Sequence, residues 1–299
     1  MTDMSRTNIQ HYVPQFYMRK FGSYIDESDK FVDICHTNTY SVVEKVSVNS
    51  ICKSNHLYDI DNDQAYERFH KSVQDMRGHI HYETSGTLNR KQPVEKLIAD
   101  IEARAAQVIG DLLDSDDPNL LDDLINRHAL LMFISNLHVR NPIRRKQLQD
   151  YSTHEGLTYG DVQSLTIVDK AIDLQLYFVA LMQSEWYLVN VPDGYELVTS
   201  NNPVYDMNLD DYCLPISKDR AILIQQHRAQ GPYAYSFRVS RKTGERTLTP
   251  YAVNTNNRRH YAHSDFLIGS KETFKQLKQH THMLIIEGEI DNGNESTTA

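Results

Sequence analysis

Hydrophobic and polar positions fall into three regimes along the chain. Between Gln10 and Phe21, aromatic residues (Tyr12, Phe16, Tyr17) alternate irregularly with His11, Gln15 and Arg19. Pro14 can occupy a first helical turn, so this segment predicts a loop entering a short helix. Phe31–Cys35 and Tyr40–Val43 flank a polar Thr-Asn turn and predict a β-hairpin, to which His56–Ile60 can add a third strand. From Gln64 onward the pattern turns helical, interrupted by Gly78 and Gly86.

The middle of the chain is strongly periodic. Leu97, Ile98, Ile101, Ala105, Val108, Ile109 and Leu112 recur at helical spacing, which predicts a helix opening near Pro93. A second helix is predicted over Asn119–Arg140; its Ala129–Ile134 stretch is apolar all round and so reads as a central, buried element. Pro142 ends or kinks it, because proline lacks the helical donor and clashes with the preceding turn. A third helix is expected over Asp169–Met182.

Beyond it the runs become short and β-rich: Trp186–Val191, Tyr195–Thr199, Cys213–Ile216 and Ala221–Ile224, separated by Pro, Gly, Asp and Asn. Helical patterns return at Tyr251–His263 and Glu272–His280. The order predicts an α+β fold: a helical core with an N-terminal β-hairpin region and a small, mainly antiparallel C-terminal sheet. One domain over residues 1–290 and a frayed tail over 291–299 complete the expected organisation.

Composition narrows the function classes. A 40% hydrophobic and 24% charged chain can bury a sizeable core, and no apolar run approaches the length of about 20 residues that spans a bilayer. The polar start, Met1 to Arg6, lacks the apolar core of a signal peptide. Cys35, Cys52 and Cys213 form no dense, even framework, so reduced thiols in a cytoplasm are expected. A net charge of −9 argues against general affinity for nucleic acid, while Arg140–Lys146 and Arg258-Arg259 leave room for a locally basic groove. There is no Walker-type loop, Gly-x-Gly-x-x-Gly or Gly-x-Ser-x-Gly, which argues against the corresponding nucleotide motors, Rossmann enzymes and α/β-hydrolases.

Several separated segments share a pattern. Gln10-His-Tyr-Val-Pro-Gln-Phe-Tyr-Met-Arg-Lys-Phe21 comes first, followed by Ile101-Glu102, Arg140-Asn141-Pro142, Thr199-Ser-Asn-Asn-Pro-Val204 and Pro215-Ile216-Ser217. In this order the chain resembles the domain-of-unknown-function family 4238, whose hallmark is a HYVPQFYL-type segment; Met18 stands where leucine is usual. The resemblance implies a fold-level identity and carries no established activity. Asn201 stands where the family pattern usually has a carboxylate, so a mechanism needing an acid at that turn is not implied for this chain.

The chemistry-bearing residues form three groups. His11 is a candidate general acid or base, since imidazole titrates near neutrality, with Gln15, Tyr17 and Arg19 as substrate contacts. If the short helix starts early, His11 and Gln15 share a face; the alternative is an aromatic segment that docks into the core. Glu102 and Arg140 lie on helices expected to be buried and antiparallel, with Asn136 on the same face as Arg140. A buried charge must be paired, so the two are expected to meet, with His11 beside them. Ser200, Asn201 and Asn202 close a strand and either aim donors at a phosphate or carbonyl or serve the turn itself.

Other constellations are weaker. His11-Tyr-Val-Pro14 is similar to a stretch of the His-Asn-His nucleases, but Gln10 stands where a metal-binding histidine is usual. Cys35, His36, Cys52 and His56 fit no zinc-site spacing, and Arg258 with His263 matches a short helical ribonuclease spacing. No metal site is assigned and no cofactor is specified. The leading reading is an intracellular nuclease-like or toxin-like effector enzyme acting on a phosphate-bearing substrate, in a setting such as antiviral defence. Its catalytic residues would be His11, Glu102 and Arg140, and its partner a nucleic acid or nucleotide. The alternatives are a non-catalytic ligand-binding or sensing module and a structural partner in a multi-protein system.

Overall fold

The computed structural model describes residues 9–22, 31–77, 93–142, 146–147, 150, 157–173, 181–204, 211–225 and 235–287. The expected tail, both glycines of the 78–86 stretch, and residues 143–145 of the basic run lie outside them. Among the described residues the fold is α+β, with seven α-helices and three mostly antiparallel sheets.

The chain opens with a strand, not a helix. β1 (Ile9–His11) pairs antiparallel with β4 (Lys53–Asn55), so His11 lies opposite Lys53. Only after Pro14, the N-cap, does the four-residue helix α1 (Gln15–Met18) begin. His11 and Gln15 therefore do not share a helix face. The third strand expected at His56–Ile60 is also displaced: β4 ends at Asn55, and His56 takes a left-handed φ of 51° that turns the chain. Leu57 to Ile60 are buried, which is why their sequence reads as a strand, but they form a turn leading to α2 (Asp63–Arg77).

The expected hairpin is present as β2 (Phe31–His36) and β3 (Val42–Ser47). It belongs to a four-stranded sheet in the order β3-β2-β11-β6, completed by β6 (Thr199–Ser200) and β11 (Phe266–Gly269). The second large sheet, β7-β8-β5-β10-β9, holds β5 (Glu185–Asn190), β7 (Asp211–Pro215), β8 (Arg220–Gln225), β9 (Phe237–Val239) and β10 (Arg246–Leu248). Its single parallel step is β5 beside β10. Of the expected strand at Tyr195–Thr199 only the last residue enters a ladder, as the first of β6.

Two helices form the centre. α3 (Pro93–Ser115) buries Leu97, Ile98, Ile101, Ala105, Ile109 and Leu112, the apolar stripe that its sequence spells out. α4 (Leu124–Val139) is shorter than expected, because Asp123 caps it by accepting the Ile125 amide at 2.8 Å. Pro118–Leu121, at the expected start, forms a separate 3-10 turn. Leu130, Leu131 and Phe133 of α4 are completely buried, and the Phe133 ring packs tilted against Phe16 and edge-on against Tyr17, which docks the N-terminal segment onto the helix pair.

The third expected helix begins ten residues earlier than expected, as α5 (Tyr159–Asp173). Its first turn carries buried polar residues, Asp161, Gln163 and Ser164, which break the apolar periodicity. They are buried to hold the turn between β4 and α2. Asp161 accepts the Asp61 and Asn62 amides at 2.9 and 3.1 Å, and the Ser164 hydroxyl donates to the Tyr58 carbonyl at 3.1 Å. Gly160 lies so close to this turn that a Cβ there would sit 2.1 Å from the Asp59 carbonyl oxygen. The chain closes with α6 (Pro250–Ala262) and α7 (Lys271–Glu287).

Candidate functional site

Arg140 terminates α4 as its C-cap residue and has no exposed surface. An unpaired guanidinium could not stay buried, and four oxygens surround it. One Nη donates to Glu102 at 3.0 Å; the other donates to the Tyr58 hydroxyl at 3.3 Å and the His11 carbonyl at 3.4 Å; Nε donates to the Asn136 carbonyl at 3.3 Å. Burial works against the Arg140 charge, but the Tyr58 and Glu102 oxygens outweigh it and hold the pKa above its ordinary value. Burial pushes the Tyr58 hydroxyl up to about 12, while Arg140 pulls it down.

Glu102 bridges this interior to the surface, with 23% of its side chain exposed. Burial pushes its carboxyl up from the ordinary value, against the pull of Arg140. A second carboxyl joins it. Glu95, seven positions earlier on α3, is raised first by burial and then by the Glu102 charge, while Gln10 and Arg140 act to lower it. Gln10 ties the cluster to the turn as well, since its side-chain oxygen accepts the Tyr58 amide at 2.9 Å. Tyr58 and Glu95 were not singled out from the sequence, and Gln10 only as the residue standing where a metal-binding histidine is usual. Their partners lie tens of residues away, and no local spacing signals them.

His11 contributes its main chain to this centre. Its imidazole is turned to the Val48 carbonyl; burial lowers its pKa, that hydrogen bond raises it, and Lys53 lowers it. Since the Nε2 atom is buried without a hydrogen bond, the donor to Val48 is Nδ1, which fixes the neutral tautomer. Gln15 and Arg19 form their own pair, the Arg19 guanidinium donating to the Gln15 side-chain oxygen Oε1 at 3.1 Å. Tyr17 is fully buried; its hydroxyl donates to the Pro215 carbonyl at 2.8 Å and accepts from Thr199 at 3.4 Å. Those contacts make Tyr17 an anchor between α1 and the sheets and leave it no surface to offer a substrate.

The Ser200-Asn201-Asn202 turn lies elsewhere and directs its groups inward. The Ser200 hydroxyl is fully buried beside His260 Nδ1 at 3.1 Å, and it accepts from the Ser264 hydroxyl at 2.7 Å and the Asn202 amide at 3.1 Å. Those two donors fill the Ser200 oxygen, so its own proton points to the imidazole. Burial, followed by the nearby His263, pushes His260 down to about 3. Asn201 donates to Asp265 at 2.8 Å and accepts the Asp265 amide at 3.0 Å, and Asn202 donates to the His263 carbonyl at 2.8 Å. The amides and hydroxyls seen in the sequence fasten β6 to α6 and β11; they do not converge on an open space. His260 and Asp265 complete this network, and neither is legible from the turn itself.

The three cysteines are buried free thiols, and among the described residues no group of three or more His, Cys, Asp or Glu side chains could hold a metal ion. Nor, among them, is any helix long and apolar enough to cross a membrane.

A family model described as a protein of unknown function, DUF4238, matches residues 9–273. No curated protein and no solved structure matches the chain. The match takes in most of the sequence, from β1 into α7, and the chain belongs to that family.

Proposed function

We propose that this member of the family is an effector enzyme of the hydrolase class, working in the cytoplasm, in which Glu95 and Glu102 supply the acid and the base. The observation that carries the reading is the pair itself: two carboxyls on one face of α3, both raised from their ordinary value by burial, beside a fixed guanidinium. A carboxyl raised toward neutrality can carry a proton to a leaving group, and an ionised neighbour can take one from water. Seven positions on a helix place their Cα atoms about 10.5 Å apart along the axis, on the same face. Arg140, committed to four oxygens, orients Glu102 and is a positioning residue.

The first substrates to assay are phosphate-bearing ones, nucleic acid or nucleotide. Lys53, opposite His11 in the β1–β4 ladder, is a cation on the N-terminal side that such a substrate could meet. The test is turnover of total RNA, plasmid DNA and common nucleotides by the full chain, with growth of a bacterial expression host as a second readout. Glu95→Gln and Glu102→Gln should each lower turnover by about 100-fold while both variants still fold and melt cooperatively. Turnover that persists in both variants, or none with any substrate and no growth effect, would overturn the reading.

A second reading, a non-catalytic ligand-binding or sensing module, is favoured by the complete burial of Arg140, which suits a network held for shape. Ligand-dependent stabilisation that survives both glutamine substitutions would select it.

A further inference from the structure

Glu95 and Glu102 share a helix, but their surroundings differ. Glu102 accepts from Arg140 at 3.0 Å, and Arg140 has no exposed surface. A buried guanidinium needs a negative partner, so Glu102 stays ionised against the push of burial. Glu95 has no cation of its own: among the described residues it forms no ion pair, and its partly buried carboxyl meets the charge of Glu102. Of the two, Glu95 is the one to hold a proton. In the acid–base reading it is therefore the acid, and Glu102 the base.

Three other elements reach Glu95. From the turn before α2, Asp59 adds a negative charge, itself paired with His56 at 2.8 Å, and the Tyr58 hydroxyl lies within the same electrostatic cluster. From α4, Arg140 acts to lower the carboxyl, and from β1 the uncharged Gln10 acts in the same direction. Gln10 is 3% exposed, and its Oε1 accepts the Tyr58 amide at 2.9 Å. Only the oxygen of a carboxamide can accept from an N–H, so the two ends of the side chain are fixed and Nε2 is turned away from Tyr58. Nε2 is buried with no acceptor at hydrogen-bond distance in the protein, and the carboxyl that Gln10 acts on as a donor is Glu95. The donor thus stands just short of its acceptor. A carboxyl that holds its proton accepts weakly; the carboxylate left when the proton departs accepts strongly. Catalytic hydrogen bonds are often long before substrate binds and tighten in the reacting complex.

We propose that Gln10 is the positioning residue of Glu95: anchored on the Tyr58 amide, its Nε2 donates to the Glu95 carboxylate as the proton leaves. The inference rests on the acid–base reading of the two carboxyls and adds the residue that governs when the acid gives up its proton. In the step, the Glu95 O–H bond breaks and its proton passes to the leaving oxygen of the substrate. The electron pair stays on the carboxylate, where the Gln10 N–H meets it. Glu102 takes a proton from the attacking water, so the pair carries one negative charge before the step and one after it. Gln10 touches no reacting atom. The β1–β4 ladder, which holds Gln10 opposite Ser54, thereby gains a part in the chemistry.

Carbon-13 titration of the glutamate carboxyls in the full chain, assigned with Glu95→Gln and Glu102→Gln, tests the proposal without any substrate. Gln10→Met keeps the length and removes the donor. The Glu95 midpoint should rise by about one pH unit, a tenfold weaker acid, while that of Glu102 stays in place. Because Gln10→Met also strands the Tyr58 amide, Gln10→Glu is the second variant. It keeps an oxygen for that amide, removes the donor and adds a negative charge, so the rise should be larger. Where a substrate is turned over, the alkaline limb of the pH–rate profile should move up with the Glu95 midpoint. An unmoved Glu95 midpoint in either folded variant, or equal movement of both glutamates, would overturn the proposal. A Glu95 midpoint that moves alone in a chain with no turnover on any substrate would uphold the pairing of Gln10 with Glu95 and count against the acid–base reading alone.

Discussion

Arg140 grips Glu102 at 3.0 Å from a position with no solvent exposure at all, while Glu102 keeps 23% of its side chain in contact with water. The asymmetry decides which partner the fold depends on. Removing Arg140 takes away the group that four oxygens point toward, whereas removing the Glu102 charge leaves a guanidinium that still has three acceptors.

Arg140→Ala should therefore destabilise the chain by about 3–5 kcal/mol, the range for breaking a buried ion pair. Glu102→Gln, which keeps a hydrogen-bond acceptor, should cost less, about 1–3 kcal/mol. Urea unfolding of the two variants and of the double mutant measures both. Equal losses would show that the pair is balanced and that the depth of Arg140 is irrelevant.

Acid stability should report His260. Its folded pKa is about 3, against 6.5 ordinarily, so the unfolded chain binds the proton more tightly over that interval. Stability is then complete above pH 6.5 and falls as the pH drops toward 3, by up to about 1.4 kcal/mol per pH unit. His11 and His128, also lowered by burial, act in the same direction. Glu95 and Glu102 act oppositely: their folded values are raised, so ionising them removes stability as pH rises past the ordinary carboxylate value. Melting temperatures of wild type and His260→Asn across this range separate the terms. The variant curve should be flatter below pH 6, and an unchanged slope would contradict the burial of a neutral imidazole.

Tyr17→Phe should cost about 1–2 kcal/mol, because it strands the buried Pro215 carbonyl and removes the acceptor of Thr199 without altering ring packing. Chemical denaturation measures it. A neutral substitution would mean that water reaches Pro215.

Gly160→Ala should be among the most damaging single-methyl changes in the chain. Its Cβ would stand 2.1 Å from the Asp59 carbonyl oxygen, and backbone, unlike a flexible side-chain end, cannot step aside cheaply. A loss of about 3 kcal/mol or more is expected, and the turn bearing Tyr58 would have to shift, loosening the Arg140 network. Thermal melting gives the loss; near-ultraviolet circular dichroism, sensitive to the tyrosines, reports the shift.

The α3 helix was legible because every third or fourth residue from Leu97 to Leu112 is apolar and faces one core. So was the meeting of Glu102 and Arg140, which needs only helix lengths and the rule that a buried charge is paired. Harder to read were elements whose cause lies elsewhere in the chain. β1 is three residues long and is a strand only because Lys53–Asn55 pairs with it; its own residues suit a helix entry equally well. The start of α5 was missed because Asp161, Gln163 and Ser164 are buried for hydrogen bonding, and buried polar groups look like surface in a hydropathy pattern. β9, β10 and β11, of three or four residues each, fall below the length at which alternation carries information. At the candidate site, Glu95 has no distinguishing context within α3; its pKa is raised by burial and by charges on residues brought near it by folding.

The oxygens around Arg140 also bear on how the chain reaches this state. His11, Tyr58 and Glu102 are 129, 82 and 38 residues away from it in sequence. A partly assembled chain can supply the nearest of them, on the neighbouring helix, long before the other two arrive, and until then the guanidinium must keep its water. Closing such long loops is entropically slow and rewards nothing until the last acceptor is in place. Desolvation of one cation is thereby tied to the arrival of three distant segments together, which makes half-closed intermediates costly and pushes folding of this half of the molecule toward all-or-none behaviour.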